Sequence, residues 1–444
     1  MIRKLSLCLL AFALFGCTRD VTPTPEDPGL VFLDAELGHE VVMADLGGEM
    51  LARVRIRTGD FQPGERAPLN LALVIDTSGS MLGEPIEKAR DASLAVVDMM
   101  RDGDFLAVIA FGTEPEILLP STEVDRGALD ELREKIAAME ASGTTDMAGG
   151  LQNGWQQVLQ HRTGETIDRI VLLGDGVPND PNPILPLATQ AGQHQIPIAA
   201  LGLGLEYDEQ LMGQIAELSH GTFSYVEDAE QVAGVFQQQI LAVEQMLARN
   251  VVLHLQPGPG VEIAEVLGQN TPGGGGGLQL ALGDLSEGDV RELVVRMTAP
   301  GRRTGALVEL LDTRITFQDT VNNAGQLRRT AFLGARATDD HVAYEASRND
   351  AVHEAAAALR AATATLTAIR MVRTGQLGQA TALLREAQQY AADEEQAASI
   401  ESLRREVESM DVEYDDAPTA PSPRPSAEHS IRRAHSRSME ALGY

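Results

Sequence analysis

The chain has 444 residues, 43% hydrophobic and 23% charged, with a formal net charge of -30 and a pI near 4.6. That length accommodates two or three domains with a buried core, and the apolar content excludes global disorder. The acidity argues against nucleic acid, whose phosphates it repels, and suits divalent cations. Both cysteines, Cys8 and Cys17, lie in the first 17 residues, so neither a disulfide framework nor a thiolate metal cluster can hold the folded part.

The segment MIRKLSLCLLAFALFGC opens with Arg3 and Lys4, runs apolar from Leu5 to Phe15 and reaches small Gly16. This is the layout of a secretory signal, too short for a membrane-spanning helix. Leu14-Phe15-Gly16-Cys17 resembles the lipobox of bacterial lipoproteins, with Phe15 bulkier than the residue usual there. The resemblance implies removal of residues 1–16 and acylation of Cys17, giving a lipid-anchored protein of the bacterial cell envelope that faces the periplasm or the cell surface. Thr18 favours the outer membrane over the inner. An ordinary secretory signal is the alternative. No other segment reaches the roughly 18 apolar residues that a membrane helix needs.

Residues 17–29 are polar and Pro-rich, a tether. Residues 30–66 hold short strands. In MLARVRIRT, Ala52, Val54 and Ile56 fall on one face and Arg53, Arg55 and Arg57 on the other, the period of a half-buried strand. Over residues 69–249 the apolar strands NLALVID, FLAVIAF, RIVLLGD and IPIAALGLG alternate with helices expected at Glu84–Met100, Arg126–Glu140, Met147–Gln160, Pro183–Gln195, Asp208–Leu218 and Ala229–Ala248. This predicts an α/β fold, a doubly wound and mostly parallel sheet.

Strand-like alternation returns over 250–336, so the strands on both sides of the α/β unit are expected to form one β-sandwich into which it is inserted. Gly273–Gly277 reads as a hairpin loop, because a phosphate cradle would be followed by a helix and a lysine. Residues 349–412 read as a C-terminal helical region, a hairpin packed on the body. Val352, Ala355, Leu359, Ala362, Leu366 and Ile369 make a helical stripe that Gly375 ends, and a second helix is expected from Gln376 to Met410. The Pro- and Ser-rich composition of residues 415–444 predicts a disordered tail.

The sharpest motif is LALVIDTSGSM, residues 71–81. Asp76, Ser78 and Ser80 leave a buried strand in alternate positions, and Gly79 permits a tight turn. Oxygen-only donors suit a hard cation, Mg²⁺ first, with Mn²⁺ or Ca²⁺ as alternatives. The end of a strand is also where doubly wound sheets bind ligands. Here the residues resemble the von Willebrand factor type A (VWA) domain, whose metal-ion-dependent adhesion site opens with D-x-S-x-S. SGTTDMAGGL, residues 142–151, matches a second element with its threonine at Thr145, and IVLLGDGVPND, residues 170–180, matches the third with Asp175. Thr144 stands where glycine is usual, and Gly174 where threonine or serine is common; neither is a ligand position. The resemblance implies a cation held by Asp76, Ser78, Ser80, Thr145 and Asp175, whose open position takes an acidic side chain of a protein partner.

Turn or helix-cap duty is the plainer reading of each element taken alone. Asn179 and Asp180 are read as loop-shaping residues. His194, His254 and His353 lack the H-E-x-x-H spacing, no G-x-S-x-G elbow occurs, and no G-x-x-x-x-G-K-[ST] is present, so no enzyme, small-molecule substrate or nucleotide site is expected. A structural scaffold, or an accessory subunit of an envelope transport or assembly machine that binds through its sandwich or helices, is the alternative function. Trp155 is expected in the core, and the arginines from Arg302 to Arg336 on a solvated strand face.

Overall fold

The computed structural model describes residues 27–45, 47–60, 67–163, 166–175, 177–204, 207–226, 231–235, 237–238, 245–269, 274–391, 394–414 and 425–444. The signal, Cys17 and most of the tether lie outside them. The chain opens with β1 (Val31–Leu37), β2 (Val41–Met43) and β3 (Gly48–Thr58). As the alternation in β3 requires, Ala52, Val54 and Ile56 are fully buried.

The α/β unit follows. It comprises β4 (Leu69–Asp76), α1 (Glu84–Met99), β5 (Phe105–Phe111), β6 (Pro115–Glu123), α2 (Arg126–Ala137), α3 (Met147–Gln160), β7 (Ile167–Gly174), α4 (Ile184–Gln193), β8 (Ile198–Leu203), α5 (Glu209–Ser219) and β9 (Phe223–Val226). The strand order is β6-β5-β4-β7-β8-β9; β6 runs antiparallel and the other pairings are parallel. Every residue of β4 is buried. Leu71, Leu73 and Ile75 pack with α1 and α2, while Ala72 and Val74 pack with α3, α4 and α5, so alternate side chains feed two helical layers. The edge strands β6 and β9 escape sequence reasoning for opposite reasons. The first is half-exposed and carries Pro115 and Pro120; the second is four residues long.

The chain then forms β10 (Met246–Pro257), β11 (Glu262–Val266), β12 (Leu278–Ser286), β13 (Val290–Ala299), β14 (Leu307–Asp319) and β15 (Gln326–Thr338). These join the first three strands in two facing sheets, β1-β3-β13-β11 and β12-β10-β14-β15-β2, around a shared apolar core. The α/β unit is therefore inserted between β3 and β10 of a sandwich. The helix expected up to Ala248 does not extend that far: Met246, Leu247 and Ala248 begin β10, where Ala248 pairs with both Leu285 and Asp319. Cross-strand pairing overrides the helical preference of MLAR, residues 246–249. Nor is the glycine run a hairpin loop. Among its described residues Gly274 bridges to Ile263, and the run connects β11 in one sheet to β12 in the other.

The C-terminal region holds α6 (His341–Ala346), α7 (Asp350–Arg373), α8 (Leu377–Gln388), α9 (Glu394–Tyr414) and α10 (Pro425–Ala441). Val352, Ala355 and Leu359 of α7 seat on Leu51, Leu267 and Val294 of the sandwich, and its second half packs with α8, α9 and α10. The expected hairpin is thus a larger helical group. The expectation of a disordered tail is overturned over residues 425–444. Ala427, Ile431, Ala434 and Met439 recur at helical spacing and are buried, a stripe that the polar composition hid. Residues 415–424 lie outside the described set. No helix among the described residues is long and apolar enough to cross a membrane.

Candidate metal site

The strand order reverses at β4: β5 lies on one side and β7, reached later in the chain, on the other. Asp76 ends β4 and Asp175 follows β7, so the two carboxylates leave neighbouring parallel strands at the switch point. Loops diverging there open a crevice.

Each loop has a local cause. The Thr77 amide donates to the Phe111 carbonyl (2.8 Å), which continues the β5 pairing beyond Asp76. The Ser78 amide donates to Asp76 Oδ1 (2.8 Å), an Asx turn. A single 3₁₀ turn, Gly79–Met81, follows, anchored by the fully buried Met81. The Ser78 and Ser80 hydroxyls are 3.0 Å apart, and Ser80 Oγ donates to Asp175 Oδ1 at 2.7 Å. Asp76 is 0% exposed, Ser78 1% and Asp175 5%.

Thr145 arrives with α3. Gly150 and Gly154 let that helix lie against the sheet, because a Cβ would stand 2.7 Å from Phe111 at the first and 2.5 Å from Val74 at the second. Asp146 caps the helix by accepting from the Gly149 amide (3.0 Å). Backbone bonds from Ser142 to Thr77 (2.8 Å) and from Gly79 to Gly143 (3.1 Å) lace this loop to the D-x-S-x-S loop. Gly143 needs its glycine, with φ +78° and a Cβ position only 2.1 Å from Thr113 Oγ1.

Asn179 proves to be the tie between the second and third elements. Its amide donates to the Thr145 carbonyl (3.0 Å), its Oδ1 accepts from the Thr145 amide (3.3 Å), and its Nδ2 donates to the Thr144 hydroxyl (3.0 Å). The threonine at 144 thus supplies an acceptor that glycine lacks. Gly174 is the other departure. A Cβ there would sit 3.5 Å from Asp76 Oδ2 and 3.4 Å from Met147 Cε, ordinary contact distances, so the position has room for a hydroxyl-bearing side chain.

The structure thus brings Asp76, Ser78, Ser80 and Asp175 into one bonded cluster and fixes Thr145 beside it through its backbone. Cys17 is outside the described residues. The donor chemistry fits a small hard cation: adjacent vertices of an octahedron with metal–oxygen bonds of about 2.1 Å lie about 3 Å apart, and the measured oxygen spacings here are 2.7 and 3.0 Å. Among the described residues no group of His, Cys, Asp and Glu assembles a metal position, so hydroxyls must complete any shell at this edge. Trp155, partly buried, packs in the core and meets the His194 ring edge-on at 5.6 Å.

Residues 70–238 match the von Willebrand factor type A domain model, so the chain carries a VWA domain, generally a metal-dependent protein-interaction module. An uncharacterised Synechocystis protein is 31% identical over 203 residues, 45% of this chain and 48% of that one. The Escherichia coli protein YfbK is 27% identical over 215 residues, 47% of this chain and 37% of its own. The chain thus spans less than half the length of these curated relatives. Among solved structures, a von Willebrand factor type A protein from Catenulispora acidiphila superposes with a TM-score of 0.73 at 17% identity, covering 93% of this chain and 98% of that one. The ArnB paralog VWA2 from Sulfolobus acidocaldarius gives 0.60 at 16%, covering 93% and 99%. Both likenesses extend beyond the α/β unit to the sandwich and helices.

Proposed function

We propose that this VWA domain captures a protein partner through a cation, Mg²⁺ first, held by Asp76, Ser78, Ser80, Thr145 and Asp175. The observation that supports it is the chain of oxygens Ser78–Ser80–Asp175, spaced 3.0 and 2.7 Å apart at the switch point of the sheet. With three neutral hydroxyls as donors and the two aspartates acting partly through water, the bound ion keeps electrophilic character and an open position for a further anionic oxygen, supplied by the partner's Glu or Asp. This chain's residues orient the donors: Asp76 fixes the turn that carries Ser78, Asn179 holds Thr145, and Gly150 with Gly154 lets α3 bring its loop to the edge. The work is binding, and no bond in the partner is broken.

We further propose that Cys17 is acylated and that the protein is anchored in a bacterial envelope. Arg329 Nη2 pairs with Asp27 (2.8 Å) and Nε donates to the Val31 carbonyl (2.9 Å), so the tether leaves the sandwich at one place. Asp27 lies ten residues after Cys17, a reach of at most about 35 Å.

Calorimetric titration of the chain after Cys17 with Mg²⁺, and capture from envelope extract in Mg²⁺ and in EDTA, test the reading. One saturable site lost in Asp175→Ala, with a partner held only by the unaltered protein in Mg²⁺, is expected. Equal capture in EDTA would move binding to the sandwich or helices, the scaffold alternative.

A further inference from the structure

Two aliphatic side chains stand out at the same edge of the sheet. Leu82 is 73% exposed and Val177 60% exposed. Leu82 follows Ser80 by two residues and Val177 follows Asp175 by two, so each lies within about 7 Å of a proposed donor residue along the chain. Ser80 and Asp175 are bonded to each other, which puts both aliphatics near the cation position. Their placement contrasts with that of their neighbours: Met81 turns fully inward and Pro178 is buried. Among the described residues Leu82 and Val177 are two of the exposed large aliphatics.

The charges around them have one sign. The loops at this edge, residues 77–84, 112–115, 142–147 and 177–183, contain no lysine or arginine. Glu84, Glu114 and Asp180 stand exposed in them, in a chain whose net charge is -30. A partner surface rich in carboxylates would be repelled before it reached the ion. The acidic side chain it delivers must come in company that offsets this field.

We propose, resting on the metal-dependent capture above, that the partner presents a single carboxylate flanked by an aliphatic or aromatic side chain and by a lysine or arginine. The apolar neighbour seats on Leu82 and Val177, and the base faces Glu84, Glu114 or Asp180. Leu82 and Val177 are then specificity-determining residues of the surface, distinct from the cation's donors. Burying either aliphatic against a partner changes affinity by about tenfold.

The test is a phage-displayed library of disulfide-looped peptides with one fixed glutamate among random residues, panned on the whole chain after its signal in Mg²⁺ and eluted with EDTA. Calorimetry with Mg²⁺ alone runs in parallel. Expected are EDTA-eluted peptides with Leu, Ile, Phe or Trp and a Lys or Arg beside the glutamate. Leu82→Ser and Val177→Ser should each bind them about tenfold more weakly while taking up Mg²⁺ unchanged. EDTA-eluted peptides without apolar neighbours, peptides indifferent to both substitutions, or no EDTA-eluted peptide from a protein that does bind Mg²⁺ would overturn this inference and leave the metal reading standing. A protein that takes up no Mg²⁺ would overturn both.

Discussion

Glu209 offers the most demanding check on how the C-terminal helices are held. It begins α5, which follows β8, and β8 lies next to β7, so Glu209 shares a sheet edge with Asp175. It is 3% exposed. Its Oε1 accepts from Arg373 Nε of α7 at 2.7 Å and its Oε2 from Arg432 Nη1 of α10 at 2.7 Å. Glu428 clamps Arg373 through two bonds of 2.6 and 2.7 Å but stands 3.8 Å from Arg432. Arg432, 3% exposed, also lies 4.1 Å over the Tyr207 ring. Glu209→Leu therefore removes the 2.7 Å carboxylate partner of a buried guanidinium and leaves it the more distant Glu428, at a cost of up to about 3–5 kcal/mol. If α10 opens as a unit, its amide protons should exchange about two to three and a half decades faster. Native-state hydrogen exchange reads this directly. Adding Arg432→Leu removes the buried charge that Glu209 balanced, leaves Arg373 with Glu428 intact, and should restore most of the protection. Unchanged exchange in Glu209→Leu, or no recovery in the double variant, would refute the idea that this cluster pins the helix. Acid should reproduce the single variant. Burial opposes ionisation of Glu209, but the charges of Arg373 and Arg432 outweigh it and hold its pKa below the usual glutamate value. Its contribution is present above about pH 4.5 and fades as pH falls through the lowered value.

Three further outcomes are expected. Burial lowers the pKa of His435 from 6.5 to about 4; between those values the unfolded chain binds the extra proton, so stability should fall by about 3 kcal/mol on acidification, and urea midpoints of His435→Leu should lose that part of the slope. Gly154→Val drives a side chain into Val74 and should cost about 1–3 kcal/mol, with weaker Mg²⁺ uptake as α3 and its Thr145 loop are pushed from β4; uptake equal to the unaltered protein would detach the helix position from the site. Gly174→Ser should fold normally and tighten Mg²⁺ binding up to about tenfold by placing a hydroxyl beside Asp76, a shift that calorimetry resolves.

What could be read from the sequence is local in origin. Apolar runs such as LALVID have no polar face to show water, so they demand a sheet covered on both sides, and the strict alternation of MLARVRIRT demands the opposite. The motif at 71–81 was legible because Asp76, Ser78 and Ser80 lie on one short turn, whose geometry the residues themselves impose. That Asp175 joins them depends on β7 lying beside β4, which short-range pattern alone does not state; resemblance across three separated elements supplied it. Tertiary structure alone decided the rest. Asn179 looks like any loop asparagine until Thr144 and Thr145 are placed next to it. Residues 246–248 favour a helix until β12 and β14 offer them backbone partners. The last helix has a polar, Ser- and Arg-rich composition, and its burial is helped by Glu209, more than 200 residues earlier in the chain, which pairs with the nearly buried Arg432.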